Sequence, residues 1–226
     1  MILSLDTSGP LFSIALLCNS DLNEKIFEGS RENSEKIIIE IELLIKDSGL
    51  SFDDIKGIAF CSGPGSFSGV RVASGIAYGI AFAKNIPIVG VSSLEALAAI
   101  HPKKNTICCI DARMKQLYVG MFESVGGILK QLNEFEVHDP HSLPFSGLEK
   151  PIIIGSAVKT YFEALKLKYG ELSPKFIEED LALAGIIARL AQDRFGDEFD
   201  LRNAKPMYIR NKVADTIVER EKNQKR

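Results

Sequence analysis

The run Cys61-Ser62-Gly63-Pro64-Gly65-Ser66-Phe67-Ser68-Gly69-Val70-Arg71 is the first stretch whose residue types could hold a ligand. A glycine-rich turn that opens a helix can receive an anion, because free N–H groups point outward at a helix N-terminus. Gly65 and Ser66 are the residues that would meet it. Two phosphate-binding patterns nevertheless fail here. The P-loop requires GxxxxGK followed by Ser or Thr, and no lysine follows Gly69. The dinucleotide fingerprint requires a third glycine where Ser68 stands, and an acidic residue about twenty positions on. The favoured reading is a strand-to-helix turn in a packed interface.

Asp6 and Asp111 form a second candidate pair. Each ends the first strand of a hairpin, and two such hairpins could face each other across a cleft between lobes. In ATPases of that architecture these positions hold phosphate and magnesium, usually with glycine beside the aspartate so that backbone can wrap the phosphate. Here the sequences are Asp6-Thr7-Ser8 and Asp111-Ala112-Arg113, with Arg113 where a permissive glycine would stand. A working nucleotide site on this chain alone is not expected, and turn capping by the two carboxylates is the simpler role. Asp6, Gly65, Ser66, Asp111 and Arg113 remain the candidate anion or nucleotide contacts. No catalytic residue and no metal ligand is assigned. His138-Asp139-Pro140-His141 spaces two histidines three apart, but Pro140 disfavours a helix that would aim both at one ion. No serine lies in a GxSxG turn.

Composition narrows the class. With 226 residues, 46% of them hydrophobic, the chain can build one large domain or two small ones. A net charge of −3 gives no global footprint for nucleic acid. Met1-Ile2-Leu3-Ser4-Leu5 lacks a basic start, and the apolar stretch 72–83 is too short to span a bilayer. Cys18, Cys61, Cys108 and Cys109 show no metal spacing and read as reduced thiols of a cytoplasmic protein.

These residues require elements to hold them. Residues 2–5 and 11–18 read as a hairpin around Asp6-Thr7-Ser8-Gly9-Pro10, and residues 106–110 and 117–122 as a second one around Asp111-Ala112-Arg113. Asp6 aligns with Asp111, and Ile14-Ala15-Leu16-Leu17 with Val119-Gly120-Met121-Phe122, without a gap. The repeat predicts two lobes, 1–104 and 105–226, each running hairpin, third strand, helix, strand, helix. In the second lobe, 128–137 continues the sheet, 151–155 is a strand, 158–169 and 181–194 are helices, and 205–210 is a short extended segment. The tail 220–226 is charged. Ser92-Ser93-Leu94-Glu95 reads as a capping box.

Two helices carry a surplus of apolar surface. The first is expected to run from Asn33 or Ser34 to Ser48, with Ile37, Ile38, Ile41, Leu44 and Ile45 facing the sheet, and Ile39 and Leu43 on nearly the opposite side. The second follows the glycine-rich loop and carries a stripe of small residues, Ser68, Val72, Gly75, Gly79 and Ala83. Glycine inside a helix costs about 1 kcal/mol relative to alanine. That cost is usually offset where another backbone lies close. Coverage by a loop or neighbouring helix, or by a partner protein, would each bury these stripes.

The blocks Leu3-Ser4-Leu5-Asp6-Thr7-Ser8, Gly63 through Arg71, Ile86-Pro87-Ile88-Val89-Gly90-Val91-Ser92-Ser93-Leu94-Glu95-Ala96-Leu97, Ile110-Asp111-Ala112-Arg113 and Pro206-Met207-Tyr208-Ile209-Arg210 together resemble the bacterial TsaB family. The resemblance covers the N-terminal half and scattered points of the rest. It implies an α/β, actin-like, two-lobed fold made of RNase H-like halves. It also implies a non-catalytic subunit without cofactor, needed for threonylcarbamoylation of the adenosine beside the anticodon in tRNA. Such a subunit pairs with a TsaD-like catalytic subunit, a TsaE-like ATPase joins the pair, and tRNA is met only through the complex. The pairing surface implied is the first two helices, hence Ile39, Leu43, Ser68, Val72, Gly75, Gly79 and Ala83. When the partner is absent the same surface could form a homodimer or stay monomeric, and the sequence does not choose between the two. The family often has His-Ser-Glu where this chain has Asn33-Ser34-Glu35, and asparagine still serves as an N-cap. The alternative is an enzyme of the same superfamily, an ATP-dependent phosphotransferase or a metallopeptidase.

Overall fold

The computed structural model describes residues 1–29, 31–178, 181–196, 200, 202 and 205–209. Arg210 and the tail 220–226 lie outside the described residues. The alternation of Leu3 and Leu5 with Ser4 and Asp6 gives each strand two distinct faces. The chain uses both, since helices cover each face. The first sheet contains β1 (Ile2–Asp6), β2 (Leu11–Cys18), β3 (Asp21–Glu28), β4 (Gly57–Gly63) and β5 (Ile88–Ser92), in the order β3-β2-β1-β4-β5. Between them run α1 (Arg31–Asp47) and α2 (Phe67–Lys84), and α3 (Ser93–Ala99) follows β5 directly. The second sheet contains β6 (Thr106–Arg113), β7 (Gln116–Val125), β8 (Ile128–Gln131), β9 (Glu136–His138), β10 (Ile152–Ile154) and β11 (Lys175–Ile177). Its order is β11-β10-β6-β7-β8, with β9 also paired to β7. Helices α4 (Ala157–Thr160) and α5 (Phe162–Tyr169) link β10 to β11, and α6 (Ala184–Ala191) follows β11.

The helices sort into layers through three cores. Ile37, Ile41 and Ile45 of α1 and Ala73, Ala77 and Ala81 of α2 pack on Leu3, Leu5, Ile14 and Phe60, the outer face of the first sheet. Val158, Leu165 and Tyr169 pack on Ile107, Cys109, Val119 and Met121, the outer face of the second. The inner faces meet in a middle core that contains Cys61, Val91, Leu94, Leu97, Cys108, Ile110 and Ile187. Here the two lobes exchange helices. Helix α3 follows the first sheet yet packs on β6, and α6 follows the second sheet yet packs on β1, β2 and β4. A boundary at residue 104 thus separates the two sheets in sequence but not the packing between them.

Several elements differ from the sequence reading. Helix α1 begins at Arg31, so Asn33 lies inside the helix rather than at its cap. Ile38 is 59% exposed and not sheet-facing. At 100° per residue it sits at the rim of the stripe centred on Ile37, Ile41 and Leu44. The second lobe has no counterpart of α1: residues 139–151, all described, form a loop that buries Leu143 and Leu148. Pro140, Pro144 and Pro151 deny that stretch a helix. The third strand of this lobe is split into β8 and β9, with the Asn133 side chain accepting a bond from the Met121 backbone N–H across the gap. The helix expected over 158–169 breaks at Tyr161 into α4 and α5. The second hairpin turns at Met114-Lys115, beyond Asp111-Ala112-Arg113, which stay within β6.

Candidate functional site

The glycine-rich loop is held by the first hairpin turn. The Thr7 hydroxyl donates to the Gly69 carbonyl at 2.5 Å, and the Ser66 N–H donates to the Ser8 carbonyl at 2.7 Å. A Cβ at Gly65 would lie 2.6 Å from the Ser8 carbonyl oxygen, and one at Gly69 would fall on the Thr7 carbonyl oxygen. Those two glycines therefore exist to let the hairpin turn lie against the start of α2. The Ser66 side chain caps α2 by accepting from the Gly69 N–H. From above, Ser93 at the start of α3 donates to the Pro64 carbonyl. From the C-terminal side, the Met207 N–H donates to the Ser62 carbonyl at 2.7 Å.

Asp6 lies beneath this joint at 1% exposure. Its Oδ1 accepts from the Ser8 N–H at 2.9 Å and the Ser8 hydroxyl at 2.7 Å, and the Cys61 thiol donates to that hydroxyl at 3.2 Å. Burial raises the Asp6 carboxyl above its ordinary value against the pull of the Ser8 hydrogen bonds. Burial, and then the neighbouring Asp6 charge, push the Cys61 thiol well up. The carboxylate thus closes its own turn. In the second lobe Asp111 Oδ1 accepts from the Arg113 N–H at 2.8 Å, again across two residues, and from the Tyr161 hydroxyl at 3.5 Å.

The structure does not bring the two aspartates together. Asp6 shares the inner face of its sheet with Ser4, whose hydroxyl bonds the Ala184 carbonyl of α6. Asp111 shares the outer face with Ile107 and Cys109, beside α4 and α5. The reason is register. Leu5 pairs with Ile14, whereas Ile110 pairs with Tyr118 and not with the aligned Val119, so the pairing register of the second hairpin differs by one residue from what the ungapped alignment implies. A one-residue slip moves a strand's side chains to the other face. Asp6, Gly65 and Ser66 form one cluster, and Asp111 with Arg113 a separate one. Among the described residues no three His, Cys, Asp or Glu side chains are grouped to hold a metal ion, and no helix is long and apolar enough to cross a membrane.

The two-helix surface is arranged differently. Ser68, Gly75, Gly79 and Ala83 are exposed and Val72 is half-buried. A Cβ at Gly75 or Gly79 would meet nothing within 4 Å. Phe67 and Phe82 are exposed on the same side of α2, and Phe82 stacks on Tyr78 at 5.8 Å. On α1, Ile38, Ile39 and Leu43 are exposed. The helix that contains Gly69, where backbone does lie close, thus repeats glycine twice where no described residue approaches. Sequence reasoning missed Ile38, Phe67 and Phe82: Ile38 sits in the run Ile37-Ile38-Ile39, Phe67 in the glycine-serine loop at the helix start, and Phe82 in a helix apolar almost all round, where the helical period gives little discrimination.

Two sheets with exchanged inner helices and this hairpin-on-loop joint define a two-lobed α/β protein of the actin-like class, built from RNase H-like halves. Two solved structures share the architecture. The chain superposes on a Pseudomonas aeruginosa protein described as uncharacterized with similarity to peptidase YeaZ, with a TM-score of 0.77, 26% identity, and 92% of this chain and 99% of that one covered. The structure described as YeaZ from Pseudomonas aeruginosa gives a TM-score of 0.75 at 25% identity, over 92% and 98%. Residues 27–215 match the model of the family described as TsaD, tRNA N6-adenosine threonylcarbamoyltransferase. Similar relatives include the tRNA threonylcarbamoyladenosine biosynthesis proteins TsaB of Haemophilus influenzae and Escherichia coli. The first is 37% identical over 52% of this chain and 51% of that protein, so this chain spans about half its length in the match. The second is 29% identical over 94% and 96%. The chain belongs to this family, on its TsaB branch.

Proposed function

We propose that this protein serves tRNA threonylcarbamoyladenosine synthesis as a non-catalytic subunit, pairing with a TsaD-like catalytic subunit through the outer faces of α1 and α2. A TsaE-like ATPase joins the pair, and tRNA is engaged by the complex. The observation that carries the reading is the open glycine stripe. Gly75 and Gly79 weaken their own helix by about 1 kcal/mol each, and no described residue fills the space above them. Close approach by the backbone of another protein is the use that glycine serves there. The exposed Ile38, Ile39, Leu43, Phe67 and Phe82 around it supply apolar surface for such a contact.

The enzyme alternatives find less support. The glycine-rich loop is closed by Thr7 and Ser8, and Asp6 is buried in its own turn. Isolated protein is therefore expected to leave ATP intact and tRNA unmodified. The deciding experiment is retrieval of partners by tagged chain from extracts of its own cell. A TsaD-like protein recovered in near-equal amount supports pairing. Its absence, together with ATP turnover that disappears in Asp6→Ala, favours the phosphotransferase reading.

A further inference from the structure

The tip of the β6–β7 hairpin is built from residues that suit its backbone poorly. Arg113 pairs with Gln116, leaving Met114-Lys115 as a two-residue turn. Both turn residues have positive φ, 54° and 58°, as in a type I′ turn, and Arg113 before them stands at 59°. Such turns favour Asn-Gly or Asp-Gly, since a Cβ is disfavoured in the left-handed region. This chain places two long cations and a methionine there instead. Backbone strain retained in a surface turn points to the side chains as its reason. The Arg113 side chain is 87% exposed, and its ion pair with Asp111 is long at 3.4 Å. Asp111 is turned back toward the fold, where the Arg113 N–H and the Tyr161 hydroxyl hold it. Arg113, despite this long contact to Asp111, and Lys115 are both exposed at the tip.

We propose that this tip is a phosphate contact, where Arg113 and Lys115 touch the sugar-phosphate backbone of RNA. The inference rests on the tRNA reading above and adds to it the surface that meets the nucleic acid. In an acidic chain, a small basic projection supplies local rather than global attraction, so binding by the chain alone is weak and strongly salt-dependent.

The test is tRNA binding by the full chain from low to moderate salt, comparing wild type with Arg113→Asn/Lys115→Gly. Asn and Gly fit positive φ, so the variant should melt about 2–4 °C higher. It should also lose about 2 from the slope of log affinity against log salt, near one per phosphate contact. Should the variant melt lower than wild type, Arg113→Gln/Lys115→Gln removes the charges alone and is expected to show the same slope change. Unchanged affinity and slope in the folded variants would overturn the proposal, as would wild type that fails to bind tRNA even at low salt. Weakened assembly with a TsaD-like protein at unchanged tRNA binding would also overturn it, assigning the tip to an acidic protein surface. Partner retrieval is measured separately, so failure of the pairing reading is distinguishable from failure of this one.

Discussion

Glycine plays two opposite parts in α2. At Gly69 the Thr7 carbonyl occupies the space a side chain would need, and at Gly75 no described residue does. Gly69→Ala should therefore lower the stability of the isolated chain by about 1–3 kcal/mol through forced displacement of the hairpin turn. Gly75→Ala should raise it by about 0.5–1 kcal/mol through helix propensity alone. Denaturant unfolding of the two variants checks both signs, and equal losses would mean that Gly75 has a neighbour inside the fold. Asp6 gives a second test at this scale. Its folded carboxyl is raised by burial, so its contribution to stability is full below the ordinary carboxylate value and declines as pH rises through the folded one. An asparagine Oδ1 can accept the same two Ser8 bonds without charging. The stability of Asp6→Asn relative to wild type should accordingly improve from pH 4 upward; a difference that stays flat with pH would show Asp6 to be freely ionised. Much of this was legible in the sequence, for Asp6 as a turn cap and the loop as a packed joint follow from residue type and spacing. That Gly65 and Gly69 answer to Thr7 and Ser8 was not, because those contacts span about sixty positions of chain.

The elements show where pattern reasoning holds and where it gives way. The short apolar runs at residues 2–5 and 11–18 on either side of a turn and the long apolar helix after the loop are local signals, and they match β1, β2 and α2. The internal repeat marked both hairpins, yet a one-residue offset in the pairing register of the second accompanies the placement of Asp111 on the outer face. No propensity reports that slip. The capping box at Ser92 is half-formed for a similar reason. The Ser92 side chain accepts from the Leu94 N–H, but Glu95 binds Arg194 through two hydrogen bonds of 3.0 and 2.5 Å. A local cap has yielded to a clamp between α3 and the end of α6. The N-terminus of α6 is likewise capped from afar, with its Ala184 and Gly185 N–H groups donating to Ser13 Oγ and Glu24 Oε1 of the first sheet. Ser13→Ala leaves a buried N–H unpaired, which costs about 1–3 kcal/mol. Amide exchange should then accelerate across α6 before the rest of the fold opens; uniform acceleration would mean that α6 has no separate opening step.

At the scale of the whole molecule, the exchange of α3 and α6 between lobes buries the inner faces in intramolecular packing, while apolar residues on the outer face of α1 and α2 stay exposed. Three layers of helix enclose two sheets, and among the described residues no fourth layer lies above the exposed aliphatic and aromatic side chains of the α1–α2 layer. The sequence marked Ile39, Leu43 and the glycine stripe as surplus apolar surface but could not separate a partner from a covering loop, since both bury the same residues. Among the described residues no loop covers Gly75 or Gly79, which supports the partner reading proposed above. Sedimentation of Gly79→Leu and Leu43→Asp with the TsaD-like protein, beside thermal melts of each variant alone, tests the pairing surface most directly. Leucine at 79 obstructs close approach, and aspartate at 43 would bury an unpaired charge in the interface, costing several kcal/mol of association. Both variants are expected to melt near the wild-type temperature and to sediment apart from the partner under conditions where wild type forms a stable pair. Folded variants that pair as tightly as wild type would place the interface elsewhere on the molecule, and unfolding of both would show the stripe to be part of the core.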